Sequence, residues 1–345
     1  MAPYIGVEPT PAISGDLPET PKKTSYLLEP NWINIVFFVV IHCLGVYGLF
    51  LAVTSAKWQT LLWIWLLHQL TTLGVTAGVH RLWSHRSYKA RWPLQIFLML
   101  CFTLGHQKSI YKWVRDHRLH HKYTDTDGDP HNIRRGFFFA HIGWVLSKKL
   151  PYTIKKGKME DLSDLKANPI VMFQHKHYYK ILLLVGWIMP SAVPMYAWNE
   201  SFVNSFYVAT VFRYIFGLHV AFLINSLAHT WGNRPYDRSI CAVNNYYMVW
   251  LTLGEGWHNY HHVFPWDYRS VELAFTQINI TTLFIDLMAK IGQASDRKVA
   301  PQHLVEKRMA RTGDPNPKYS RELPKIKFRL LEEVEEIGNV LFKPD

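Results

Sequence analysis

Eight histidines fall in three short clusters: His80 and His85 in His-Arg-Leu-Trp-Ser-His, His117, His120 and His121 in His-Arg-Leu-His-His, and His258, His261 and His262 in His-Asn-Tyr-His-His. Imidazole ligates iron, copper, nickel and zinc, and a structural zinc uses four ligands, so eight imidazoles point to two metal ions. The two His-x-x-His-His clusters space their rings i, i+3 and i+4. On a helix this puts all three on one face, able to grip a pair of ions together. His80 and His85 lie about 140° apart on an ideal helix and are expected to straddle a helix end. A structural zinc would favour cysteine, yet Cys43, Cys101 and Cys241 make no Cys-x-x-Cys site and no paired framework, and are expected to stay reduced. The same chain has several membrane-length apolar runs, and together these features predict an oxygen-activating pair of irons held just outside a bilayer. Single histidines in apolar runs, such as His42 and His68, read as hydrogen-bonded packing residues.

The elements that must position these rings are legible as hydropathy. Of the 345 residues 49% are hydrophobic, and 14 are Trp. This composition sits nearer the membrane class than that of two soluble domains. Residues 33–53 and 58–79 carry no charge, and each is close to the roughly 20 residues that cross a bilayer core. Only Thr54 to Lys57 separates them, so they form a hairpin. A second hairpin runs from about Ile181 to Trp198 and from about Phe202 to His229, joined by Asn199-Glu200-Ser201. The runs Leu94 to Gly105 and Val271 to Ala289 are expected as in-plane or packed helices, the first being too short to span and the second carrying Glu272 and Asp286. Residues 1–30, rich in Pro, Thr and Glu, do not have the form of a cleaved signal peptide and read as a mobile tail.

The net charge of +12 could suggest nucleic acid, but the basic residues form no recognised reader module and avoid the apolar runs. An anionic membrane face or ligand fits better. Lys57 and Arg213 are the only basic residues in the two hairpins, which leaves 36 of the 38 outside them. Both hairpin turns are therefore expected to face the lumen, with residues 1–30, 80–180 and 230–345 in the cytosol. Every histidine cluster then lies on one side. Asn199-Glu200-Ser201 is formally a glycosylation acceptor, but a tight turn against the bilayer argues against its use.

The segments 76–86 (Thr-Ala-Gly-Val-His-Arg-Leu-Trp-Ser-His-Arg), 115–122 (Arg-Asp-His-Arg-Leu-His-His-Lys), Asp129-Pro-His-Asn132, Arg134-Arg-Gly136 and 254–262 (Gly-Glu-Gly-Trp-His-Asn-Tyr-His-His) closely resemble the membrane-bound acyl-CoA desaturases of the stearoyl-CoA type. The resemblance runs from about Leu28 to Lys290. It implies an all-α integral membrane protein of four transmembrane helices in two hairpins, with a cytosolic helical cap that carries a histidine-ligated di-iron site. Residues 31–290 would form this desaturase domain, between the tail 1–30 and a cytosolic C-terminal segment 291–345. The family's Asn-x-x-x-His pattern matches Asn225 to His229, which makes His229 a ninth ligand and Asn225 a ligand through water. His131 and His141 lie in family motifs but are expected to fix the cap by hydrogen bonds. His106, His175 and His177 read as ordinary polar residues.

By the same resemblance the substrate is a fatty acyl-CoA, and the reaction is O2-dependent insertion of a double bond, usually cis. Two electrons would come from a separate cytochrome b5 and its NADH-dependent reductase at the endoplasmic reticulum membrane, since the chain has no His-Pro-Gly-Gly haem motif. Arg115, Lys148 and Lys149 match positions that contact the coenzyme A phosphates, and Gln107 and Trp113 match the tunnel bend. His68, Thr72 and Val75 share the helical face that closes the tunnel, so Thr72 is expected to influence chain length. A membrane di-iron hydroxylase or acetylenase shares this logic. A zinc transporter would instead place its ligands near mid-membrane.

Overall fold

The computed structural model describes residues 28–272 and 279–314. The expected tail falls almost entirely outside these residues, as do part of the Val271 to Ala289 run and the end of the C-terminal segment. Among the described residues four helices are long and apolar enough to cross a membrane: α1 (Trp32–Thr54), α2 (Trp58–Ser84), and, after α3 (Trp92–Thr103) and α4 (Ile110–Lys122), α5 (Pro169–Trp198) and α6 (Phe202–His229). In a chain that buries its apolar faces internally, the Val, Phe, Leu and Trp side chains exposed along α1, α2 and α5 would be costly. Here they form the surface that lipid covers.

Two helices extend beyond the uncharged runs that mark them. The hydrogen-bond ladder of α2 changes at Gly74 to the wider π form and persists to Ser84, with the His85 amide donating to the His80 carbonyl. Helix α5 begins not near Ile181 but at Pro169, where the Asn168 side chain accepts from the amides of Ile170 and Val171. It bends at His177, and Lys176 and Lys180 lie within its first half. The polar stretch before Ile181 is the amphipathic start of the helix.

The two hairpin turns are fastened to each other through one carboxylate. Glu200 accepts from the Lys57 amide at 2.8 Å, Thr60 Oγ1 at 2.6 Å, the Ser201 amide at 3.0 Å and Asn204 Nδ2 at 3.1 Å. Lys57 Nζ donates to the carbonyls of Trp198 and Asn199. Lys57, between α1 and α2, thus holds this turn to the other through both its amide and its ammonium group.

The ends of α2 and α6 opposite these turns lead into the cap, which also contains α7 (Tyr246–Leu251), α8 (His258–Val263), α9 (Ile280–Lys290) and α10 (Gln302–Thr312). A two-residue antiparallel pair, β1 (Lys89–Ala90) and β2 (Ala294–Ser295), ties its two halves together. Val305 of α10 packs on Tyr236, Tyr260 and Phe264, so residues beyond Lys290 belong to the packed cap. The main core gathers Ala77, Val79, Leu82 and Trp83 of α2 with Leu98 and Phe102 of α3, Val114 of α4 and Ile285 of α9.

Gly74 allows α2 and α3 to touch at the backbone, because a Cβ there would lie 2.2 Å from the Phe102 nitrogen and 2.4 Å from the Cys101 carbonyl carbon. Neither atom can rotate away. Gly74→Ala is expected to destabilise the protein by about 1–3 kcal/mol through overpacking, seen as a lower midpoint in thermal unfolding of the purified protein. An unchanged midpoint would show that the helices separate freely.

Candidate metal centre and adjoining cavity

Four short segments bring nine imidazoles together. His80 lies on the last π turn of α2 and His85 caps it. His117, His120 and His121 come from α4, His229 from the end of α6, and His258, His261 and His262 from α8. They sort into two groups, His80, His85, His117, His121 and His261, and His120, His229, His258 and His262. Within each group one nitrogen per ring lies within 4.8 Å of all the others. The i, i+4 pairs stay together, His117 with His121 and His258 with His262, while His120 and His261 turn to the opposite group. The π ladder accounts for the first cluster. Residues 80 and 85 would be poorly aligned on an α-helix, but the i to i+5 bond stacks one above the other, with ring centroids 4.9 Å apart.

Nε2 atoms face Nε2 atoms throughout: His80 and His261 at 2.8 Å, His85 and His117 at 2.9 Å, His121 and His261 at 3.0 Å, His229 and His258 at 3.0 Å. His120 and His80 are oriented from behind. His120 Nδ1 bonds Asp129 Oδ1 at 2.9 Å, which leaves Nε2 for an ion, and His80 Nδ1 lies 3.1 Å from Glu255 Oε2. Glu255 Oε1 also accepts two bonds from Arg81, whose guanidinium is 1% exposed and further bonded to the Tyr268 and Arg269 carbonyls. The Glu255 carboxyl is held at about 2, burial being overcome by Arg81 and His80. Two sets of converging imidazole nitrogens without a thiolate, each with a carboxylate behind one ring, fit a pair of N-ligated metal ions.

Burial, followed by repulsion from neighbouring rings, pushes His85, His117, His121, His261 and His262 well below the ordinary histidine value of 6.5, and lowers His258 to about 3. His120 moves up, because Asp129 outweighs its burial. Where the folded value is depressed the unfolded chain binds more protons, so the depressed group stabilises fully above 6.5 and progressively less below it. Six depressed rings outweigh one raised ring. The thermal midpoint of metal-free protein is therefore expected to fall between pH 7 and pH 5, and a flat profile would mean that these rings do not meet.

A cavity of 690 Å³ passes His80, His117, His120 and His258 on its wall and also touches Asn225. Gln107, Trp113, Lys148, Lys149, His68, Thr72 and Val75 line it too. Trp113 Nε1 donates to Gln107 Oε1 at 3.2 Å, and the Trp113 ring stacks on His117 with centroids 4.8 Å apart, so the wall and a candidate ligand share one packing unit. Arg115 is not on the wall. It bonds Asp116, which also holds Lys149 at 2.6 Å and Lys108 at 3.7 Å. These cations hold the Asp116 carboxyl far below the carboxylate range despite its burial. Lys148 reaches outward to Glu29 at 2.9 Å.

Among the remaining histidines, His141 bonds Ser226 Oγ and His219, and His219 bonds His42, which ties the cap to α6 and α1. His131 packs edge-on against Trp144 and bonds Asp129 through its amide rather than its ring. His106 lines the cavity, stacked on Trp187, and burial holds it neutral with a value of about 3. His175 bonds Ser109. Asp129, Glu255 and Arg81 were not singled out from the sequence as functional residues. Their signal was present as charged residues inside the histidine motifs, but their partnerships span up to 201 positions.

Comparison with known proteins adds the deciding observation: the fatty acid desaturase family model matches residues 56–274, which include all nine candidate ligands. The chain belongs to the fatty acid desaturase family. It is 50% identical over 299 residues to an acyl-CoA Delta12-desaturase of Acheta domesticus, covering 85% of this chain and 84% of the relative. An acyl-CoA Delta-9 desaturase of the same organism is 49% identical over 86% of this chain and 83% of its own length. Stearoyl-CoA desaturase 5 of Bos taurus is 47% identical, covering 86% and 88%. As a member of this family the chain is a multi-pass membrane protein whose histidine clusters form a candidate metal centre.

Proposed function

We propose that this desaturase inserts a double bond, of cis geometry, into a saturated fatty acyl-CoA. The observation that carries this reading is the position of four candidate ligands, His80, His117, His120 and His258, on the wall of the 690 Å³ cavity with many apolar lining residues. A hydrocarbon chain lying there would run directly beneath both nitrogen groups. In this reading the ions are two irons, held by His80, His85, His117, His121 and His261 and by His120, His229, His258 and His262, with Asn225 acting through water. Bound iron would supply, with O2, the oxidising power to break unactivated C–H bonds that side chains lack. The reaction balances as one acyl chain, one O2, two electrons and two protons giving one alkene and two waters.

The protein's own part is placement. Burial of methylenes, about 0.8 kcal/mol each, draws the chain in but does not select a carbon. Lys148 and Lys149, with Arg115 beside them, would hold the coenzyme A phosphates by charge-assisted bonds and so fix the register. Trp113, locked to Gln107 and His117, would hold the bend that presents one bond. Desolvation in the cavity keeps water from the reacting carbons.

Cytochrome b5 with its NADH-dependent reductase is the proposed electron source, at an endoplasmic reticulum membrane. The paucity of basic residues in the hairpins supports cytosolic termini and a cytosolic cap. Residues 31–290 are the proposed desaturase domain, flanked by 1–30 and 291–345. Expression in yeast lacking its own desaturase, with mass spectrometric location of new double bonds, tests the reading. A new alkene supports it, whereas an alcohol or alkyne would assign hydroxylase or acetylenase chemistry instead.

A further inference from the structure

At His68, twelve residues before His80 on α2 and thus roughly 18 Å from it, the cavity wall carries polar side chains. A small chamber of 10 Å³ adjoins the cavity there, lined by His68, Thr71, Gly105, Arg213, Tyr214 and Gly217, four of which line the main cavity as well. Three of these residues point buried polar atoms at nothing: His68 Nδ1, Thr71 Oγ1 and Arg213 Nη2 have no hydrogen-bond partner. Arg213 is 3% exposed and Thr71 5%. The rest of the guanidinium is well held, Nε by the Ala209 carbonyl at 3.0 Å and Nη1 by the Leu104 carbonyl at 3.2 Å, so Nη2 is fixed in direction. The neighbouring Thr72 behaves differently, since its hydroxyl is already bonded to the His68 carbonyl.

Arg213 sits in the middle of α6, where an ionisable residue marks a functional position by default. A methyl terminus cannot satisfy these three atoms. A carboxylate would fill Nη2 but is too large for the chamber, whose volume corresponds to about one oxygen atom of water size. A hydroxyl oxygen suits all three, accepting from Arg213 Nη2–H and Thr71 Oγ–H and donating to His68 Nδ1. Gly217 adds no side chain beside His68 Nδ1, where a Cβ would sit in ordinary contact at 3.6 Å.

We propose that this chamber seats a hydroxyl oxygen and that the enzyme accepts acyl-CoA thioesters hydroxylated at the terminal carbon, whose ω-oxygen takes this seat. The inference rests on the acyl-CoA reading above and extends it to a second substrate class. It gives the partnerless atoms of Arg213, Thr71 and His68 one common partner.

The test is calorimetric binding, which needs no turnover, of matched plain and ω-hydroxylated acyl-CoA series, varied in chain length, to the full-length protein. At the length that reaches the chamber, the two dissociation constants are expected to agree within a few-fold in the native protein. In Thr71→Val, which keeps shape and removes one hydroxyl, the ratio of hydroxylated to plain constants is expected to rise about 2- to 12-fold, the equivalent of one hydrogen bond. Taking the ratio within one variant cancels any general loosening of the fold, and His68→Phe should move it the same way. Native protein that binds hydroxylated chains ten-fold or more weakly at every length would overturn the proposal, leaving only a trapped water. An unmoved ratio in both variants would do the same. Failure to bind either series would instead overturn the acyl-CoA reading itself.

Discussion

His120→Ala is expected to reduce desaturation below detection and to remove metal from the second nitrogen group, while the protein still reaches the membrane in normal amount. His120 is the α4 histidine that turns away from His117 and His121, so its group keeps only His229, His258 and His262 when it is lost. The four spanning helices do not depend on this ring. The substitution does leave Asp129 without its ring partner, but the carboxylate still accepts from the His131 amide at 2.8 Å and the Asp125 amide at 3.3 Å, which limits the penalty of an unpaired buried charge. Metal content per chain and alkene yield should therefore fall together in protein of normal abundance.

Asp129→Asn separates two assignments that geometry alone leaves together, because His120, Asp129 and His131 also lie within ligating distance of one another. If Asp129 only orients His120, an asparagine oxygen can still accept from Nδ1, and metal affinity should drop about 10- to 100-fold. If Asp129 were itself a ligand, the variant would be as inert as His120→Ala. The expected order is a partial loss for Asp129→Asn and a complete one for His120→Ala, read from metal titration. Equal losses would reassign the second site.

The contrast between these residues also shows what the sequence could express. The ligands were legible because i, i+3 and i+4 spacing and uncharged runs are local properties, written in consecutive letters. His229 was an ordinary helix-end histidine until the resemblance singled it out, and the fold then placed it 3.0 Å from His258. The type of helix was not legible. Ideal α geometry sets His80 and His85 far apart in angle, and only the change of ladder after Gly74 aligns them. Hydropathy marks α5 only from about Ile181, because the helix before that point carries Lys176, Lys180 and two histidines on the side away from the buried Val171 and Gln174. The orienting carboxylates and Arg81 were hidden for a different reason. Arg81 and Glu255 meet across 174 positions, and such pairings are a property of the packed cap rather than of either segment.

Thr72→Trp is expected to shift the product mixture toward shorter acyl groups. Thr72 is 8% exposed, lies on the cavity wall with His68 and Val75, and stands two turns of α2 before His80. An indole there would fill the space that the terminal methylenes of a long chain occupy. Each methylene denied its place forfeits about 0.8 kcal/mol, close to a fourfold loss in binding, so exclusion of three or four would remove the longest substrates from the profile. Thr72→Ala should move the profile in the opposite direction or leave it unchanged. The position of the double bond should not follow. If the coenzyme A end is held by Lys148 and Lys149 and the bend by Trp113, the reacting carbons are counted from the thioester, and shortening the far end alters which chains fit without altering where they react. Product analysis reads both quantities in one measurement. A chain-length profile identical to that of the native protein would remove Thr72 from the tunnel's end, and a moved double bond would show that the register is set from the methyl terminus instead.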